Sequence, residues 1–254
     1  MLARQHWNWG LGLAIILMLV AMPMADAAGV ALPTIQLGVA KSNSPEQVAQ
    51  GVQILILLTV LTLAPSILVM TTAFTRIVIV LSLVRQALGT PTLPPSQVIV
   101  SLAMILSFFV MAPTFEEVNK VAFEPFMKGR MSVDVALEKA TEPMRTFMFK
   151  QTSEKDMALF TKLAKIKKPK TTKDVPTYVL LPSFIISELK TAFQLGFVLF
   201  LPFIVIDIVV SSILVSMGMM FLPPVTISLP FKLILFVLVD GWHLISQSLV
   251  MGFR

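Results

Sequence analysis

The chain has 254 residues, of which 56% are hydrophobic and only 13% charged, with a mean hydropathy of +0.85. Soluble domains carry about 25% charged residues, so this chain has too few to cover a water-facing surface; a disordered, collagen-like or ordinary soluble protein is excluded and an integral membrane protein indicated. The net charge is +6, from 20 basic and 14 acidic residues, but 22 of these 34 lie between Glu116 and Asp174, which sets a polar insert inside an apolar chain.

In chain order, a leader comes first. Arg4 precedes the apolar run Leu11–Val20, and Ala25-Asp26-Ala27 fits the small-residue cleavage rule. Residues 1–27 are expected to be a cleavable signal peptide, with a retained anchor as the alternative. Residues 28–50, with Pro33, Asn43 and Pro45, read as a polar lead-in. Residues 51–115 hold the N-terminal hydrophobic helices. Val52–Phe74 has 23 residues without a charge, enough for a span of about 20, and Pro65 predicts a kink in it. Gly89–Pro95 is a turn signal, and Val98–Phe115 is a second apolar run. Arg76 and Arg85 read as topology anchors on the cytoplasmic side.

Residues 116–181 form the soluble insert, on the periplasmic side by topology count. Val133, Leu137, Ala140, Met144, Phe147 and Met148 recur at helical spacing, and Pro143 is expected to bend that helix. Ser153 and Asp156 form a capping pattern. Lys165, Lys167, Lys168, Lys170 and Lys173 then crowd around Pro169. Such a cluster is usually a solvated loop; docking of an acidic partner is the sharper alternative. No aromatic residue lies within it, so nucleic-acid binding is not expected.

Residues 182–254 are the C-terminal hydrophobic helices. Phe184–Ile206 and Ile208–Phe231 are separated only by Asp207, and one acid is not a loop that reverses a helix. Glu188, Lys190, Asp207 and Lys232 sit in or beside these runs, where a lipid-facing charge costs at least about 2.5–3.5 kcal/mol. The runs are therefore expected to pack against protein in an oligomer. Glu188 and Lys232, of opposite sign, are expected to form an inter-subunit ion pair; Lys190, Asp207 and Asp240 compete as partners, and snorkelling is the alternative. Asp240 and His243, three apart, suggest a hydrogen-bonded pair. Met217, Met219 and Met220 surround Gly218. Flexible thioethers of this kind can seal a pore yet deform around a polypeptide, although core packing is the ordinary role of methionine.

Cysteine is absent and histidine occurs only at positions 6 and 243, so no metal site or cofactor is expected. Phosphate-binding glycine loops and zinc-protease motifs are also missing. The reading is not an enzyme.

The stretch 67–90, ILVMTTAFTRIVIVLSLVRQALGT, resembles the FliP family of flagellar export proteins. So do 182–210, PSFIISELKTAFQLGFVLFLPFIVIDIVV, and 216–242, SMGMMFLPPVTISLPFKLILFVLVDGW. The likeness covers roughly residues 45–250 in the right order. It implies a core subunit of the flagellar type III export gate, needed for flagellum assembly and located in the bacterial inner membrane within the basal body. It also implies a pentamer-like helical assembly with FliR and FliQ, other export-apparatus membrane subunits, and exported flagellar proteins as cargo. A methionine-rich constriction is implied at Met217, Met219, Met220 and Phe221, the last standing where the family often has a further methionine. The expected fold is all-α: kinked hydrophobic hairpins and a helical polar insert, assembling into a helical or ring oligomer. The alternative is a stand-alone transporter or ion channel using intramembrane carboxylates. The lack of an inverted repeat weakens it.

Overall fold

The computed structural model describes residues 45–253 other than 91, 167, 168, 170 and 220. The signal-peptide expectation, most of the lead-in, three lysines of the cluster and Met220 lie outside the described residues. The chain divides into two units, residues 1–54 and 55–254. Of the first, only the opening turns of a helix are described. That helix, α1, runs Pro45–Thr71, so the last residues of the expected lead-in are already helical. All regular elements among the described residues are helices or helical turns.

In the second unit, α1 bends by 41° at Pro65, where the proline removes a backbone donor and its ring crowds the preceding turn. Next come α2, Phe74–Ala87, and α3, Ser96–Val118. α3 continues through a wide π turn, Asn119–Phe123, into a last turn at Glu124–Met127. The cause is Pro125. It has no N–H to offer the carbonyl of Val121, and the Glu124 N–H bonds five residues back to Asn119. The polar insert therefore begins inside a continuous helix. Residue 116 marks a change of surroundings, not of backbone.

The insert carries α4, Val133–Gln151, and α5, Glu154–Leu163, followed by a short 3-10 turn at Thr172–Asp174. Ser153 caps α5 by accepting from Lys155 N at 3.3 Å. The chain then enters α6, Thr177–Ser216, and closes with α7, Pro224–Leu238, and α8, Gly241–Met251.

α6 corrects the expected division of the C-terminal part. It is 40 residues long and passes straight through Asp207. The reversal falls at Met217–Pro223 instead. There Gly218 takes φ +77°, Gly218 N bonds Val215 O at 3.0 Å, and Met219 N bonds Leu214 O at 2.9 Å. This is a Schellman ending, in which a glycine without Cβ adopts the left-handed turn and the last carbonyls are satisfied. Pro224 then opens α7 in a position where its missing N–H costs nothing. At 1.5 Å per residue α6 is about 60 Å long, twice the roughly 30 Å hydrocarbon core.

Among the described residues two helices, Ser96–Met127 and Thr177–Ser216, are long and apolar enough to cross a membrane, or up to four if each of two bent pairs, one being α7 with α8 at 64°, counts as one span. The chain itself buries little of these helices: 22% of the most apolar window of the first and 11% of that of the second.

What packing there is centres on α2. Its Ile77, Val80, Leu81, Val84 and Ala87 recur at helical spacing and are buried. They meet Val179, Leu180, Phe184 and Ala192 of α6, Ile99, Ala103 and Met111 of α3, and Phe147 and Met148 of α4 in one apolar core. α2 and α6 run parallel. Arg76 meets Glu188 near one end, and Leu83 lies against Gly196 further along. A Cβ on Gly196 would sit 2.2 Å from Leu83 Cδ1, so any larger residue there would force the Leu83 side chain to move.

Candidate functional site: two buried charge clusters and an exposed loop

The first cluster grows from Arg76, one turn into α2. An isolated cation in an apolar core needs charge and hydrogen bonds to offset its desolvation. Arg76 Nε donates to Glu188 Oε2 at 2.9 Å, and Nη2 reaches Glu188 Oε1. Both side chains are essentially excluded from solvent. Arg76 Nη1 donates to Gly252 O at 2.8 Å and Nη2 to Gln151 Oε1 at 3.0 Å. Gln151 in turn donates to Phe253 O at 3.2 Å. The guanidinium lies 3.8 Å from the Phe253 ring centroid, and that ring stacks on Phe147. One residue thus joins α2, α4, α6 and the segment after α8.

Next to it, Ser153 N donates to Ser187 Oγ at 2.9 Å, and Ser187 Oγ donates to Asp156 Oδ2 at 2.8 Å. In a simple capping box the acid would accept directly from the cap residue's N–H. Here a hydroxyl from α6 stands between them, so the start of α5 is completed only when the insert docks on α6.

The second cluster lies near the other end of α2. Lys232 Nζ donates to Asp207 Oδ2 at 2.6 Å and to Ala87 O at 3.1 Å. Ser228 Oγ donates to Asp207 Oδ1 at 2.5 Å. Ala87 O is one of the final helix carbonyls that lack an intrahelical partner, and a cation at that end also suits the helix dipole.

The third feature is the loop between α6 and α7. Met217 is 63% exposed, Met219 42% and Phe221 100%. These are large apolar side chains that the single chain leaves uncovered.

Set against the sequence reading, Glu188 and Lys232 are not each other's partner within the chain. Arg76 takes Glu188, and Asp207 takes Lys232, so the demand for a counter-charge that motivated an inter-subunit pair is met internally. Arg76 is a core residue here. Arg85 is half-buried and donates to Ser96 Oγ at 3.0 Å, pinning the turn between α2 and α3. Asp240 starts α8 at φ 50°, its side chain caps nothing, and no hydrogen bond joins it to His243 among the described residues. No group of three or more His, Cys, Asp or Glu that could hold a metal occurs among the described residues. Arg76 as the partner of Glu188, and the roles of Gln151, Ser187 and Phe253, were missed. One signal was available: Arg76 also stands in an apolar stretch, so Glu188 had a cationic candidate besides Lys190 and Lys232.

These features define a class: an all-helical membrane-type protein, pinned internally by one buried and one partly buried ion pair, with much of its apolar surface uncovered in the single chain. The sequence pattern of the FliP family matches residues 57–249, and the chain belongs to that family. It is 56% identical over 217 residues to the flagellar biosynthetic protein FliP of Bacillus subtilis, covering 85% of this chain and 98% of the relative. It is 54% identical over 211 residues to that of Pectobacterium carotovorum, covering 83% and 82%. With that of Aquifex aeolicus the identity is 44% over 225 residues, covering 88% and 92%.

Proposed function

We propose that this chain is a core subunit of the flagellar type III export gate, forming the mouth of a channel through which unfolded flagellar proteins leave the cytoplasm. The observation that carries this reading is the family match over residues 57–249, shared with relatives named as flagellar biosynthetic proteins. Several copies assemble in a pentamer-like arrangement with FliR and FliQ, in the inner membrane at the flagellar basal body. The apolar faces of α3 and α6, with Phe108, Phe109, Phe193 and Phe197 all more than half exposed, are surfaces that lipid or neighbouring subunits have to cover, as this reading requires. The loop of Met217, Met219, Met220 and Phe221 forms the constriction. Its side chains are apolar enough to exclude water and flexible enough to yield to a passing chain.

The chain works as a passive conduit, with energy supplied by other subunits or the proton gradient. A stand-alone transporter would need carboxylates free to bind an ion, and two of the three candidates are engaged: Glu188 by Arg76, and Asp207 by Lys232 and Ser228.

Imaging of the detergent-extracted complex tests the proposal. Several copies around an axis lined by residues 217–221 are expected, and cells lacking the chain should be non-flagellate. A particle containing one copy and no other subunit would contradict it.

A further inference from the structure

The constriction loop is held by little of its own. Among its described residues one backbone bond closes it internally, Leu222 N to Met219 O at 3.3 Å, and Phe221 is fully exposed. Its position must come from the ends of α6 and α7, and those ends are fixed lower down.

We infer that the Asp207–Ser228–Lys232 cluster is the positioning element of the loop Met217–Pro223, setting how far α7 reaches along α6 and anchoring both to α2. The inference rests on the proposed constriction role of that loop.

The geometry of the carboxylate carries the argument. Ser228 and Lys232 lie one turn apart on α7 and bond different oxygens of the same Asp207, at 2.5 and 2.6 Å. A two-point attachment of this kind defines a register. Sliding α7 by one turn along α6, a rise of about 5.4 Å, would lose at least one of the two bonds. Lys232 also donates to Ala87 O at 3.1 Å, which ties the hairpin to the C-terminal end of the central helix α2. The turn beyond α2 is seated on the same helix. A Cβ on Gly89, which takes φ +75°, would lie 3.5 Å from Val225 Cγ1, 3.7 Å from Leu229 Cδ1 and 3.8 Å from Lys232 Nζ.

Ser228 is wholly buried and Lys232 nearly so, while the Asp207 side chain keeps 28% of its surface exposed, so the two donors are shielded and the carboxylate is open to solvent on one side. Asp207 stands nine residues before the end of α6, which places the cluster about 14 Å from the loop. Stability alone does not account for such a cluster, since a buried ion pair can often be exchanged for apolar residues at no loss. What an apolar pair cannot supply is the register.

The test measures assembly of the whole gate complex and small-solute leakage in the same cells. Lys232→Met alone strands Asp207 and is expected to lower assembly, so the deciding variant is the double Asp207→Leu, Lys232→Met. It is expected to assemble within about twofold of the unaltered chain yet leak at least about tenfold more, because charge burial is relieved while register is lost. Ser228→Ala removes one donor and no charge, and is expected to assemble normally and leak about threefold more. Leakage at the unaltered level in assembled double-variant complexes overturns the inference; should the double variant fail to assemble, a tight Ser228→Ala complex overturns it. Deletion of residues 219–221 is measured alongside. A leaking deletion with tight cluster variants rejects the positioning role alone. A tight deletion rejects the constriction reading on which the inference depends.

Discussion

Within the single hairpin of α6 and α7, two regions less than three helical turns apart follow opposite rules. Asp207, Ser228 and Lys232 are polar, and Ser228 and Lys232 are buried. Met217, Met219 and Phe221 are apolar, and all three are exposed. In a water-soluble domain the assignment would be reversed. The difference teaches where each kind of interaction is used. Buried polar groups demand specific partners at specific distances, so they fix one arrangement of the chain. Exposed apolar groups demand only cover, so they suit contact with neighbours and with cargo of varied sequence.

If that division holds, variants of the buried groups should damage the chain itself, in order of what they leave unpaired. Arg76→Met should have the largest effect. It strands Glu188 and removes the donors that Gly252 O and Gln151 receive, at a cost of about 3–5 kcal/mol. The folded yield in detergent, read by protease resistance, should fall sharply. Adding Glu188→Leu should restore most of it. An unchanged yield for the single variant would break the comparison at its firmest point.

Ser187→Ala should follow, at about 1–3 kcal/mol, because Ser153 N and Asp156 both lose a buried partner. Hydrogen exchange at the amides of Ser153 and Lys155 should accelerate while α2 remains protected. Gly196→Ala is expected to cost about 1–3 kcal/mol through overpacking against Leu83. Leu83→Ala in the same chain should recover part of the loss, seen as a rise in the unfolding midpoint.

The smallest effect is expected for Lys120→Ala. Its bond to Glu116, 2.6 Å long, joins the end of α3 to the π turn on a solvent-exposed face, where water and salt leave such pairs little net effect on stability. A change in midpoint near the measurement error should result. A loss comparable to that of Arg76→Met would show that charge position, not burial, governs the chain.

Much of this architecture was legible in the sequence. The break at Pro65, the helical insert and the Ser153 cap all follow from local chemistry. Asp207 was rightly judged too little to reverse a helix, and Gly218 with Pro223 and Pro224 carried the true stopping signal. Partner choice was not legible. Arg76 and Glu188 are 112 residues apart, and no spacing rule relates residues on two helices whose relative placement is set by packing. For the same reason Ser187 gave no sign that it would enter the cap of α5. The π turn was readable in principle from Pro125, since a missing N–H four residues past a carbonyl has to be accommodated. The loop is the reverse case. Its methionines stand out in the sequence as a group, but the exposure of Met217, Met219 and Phe221 follows from the length of α6, which becomes visible only when the helix is seen to run through Asp207.

The chain contains no cysteine, so a single Phe221→Cys substitution gives a unique chemical handle at the most exposed apolar position. Disulfide capture between that residue and a cysteine-bearing flagellar protein stalled during export, in assembled complexes, tests the central claim most directly. Efficient capture at position 221, with none from a cysteine placed at the buried Phe184, is the expected result. Capture of the stalled chain by Phe193→Cys on the outer face of α6, with none at position 221, would contradict it.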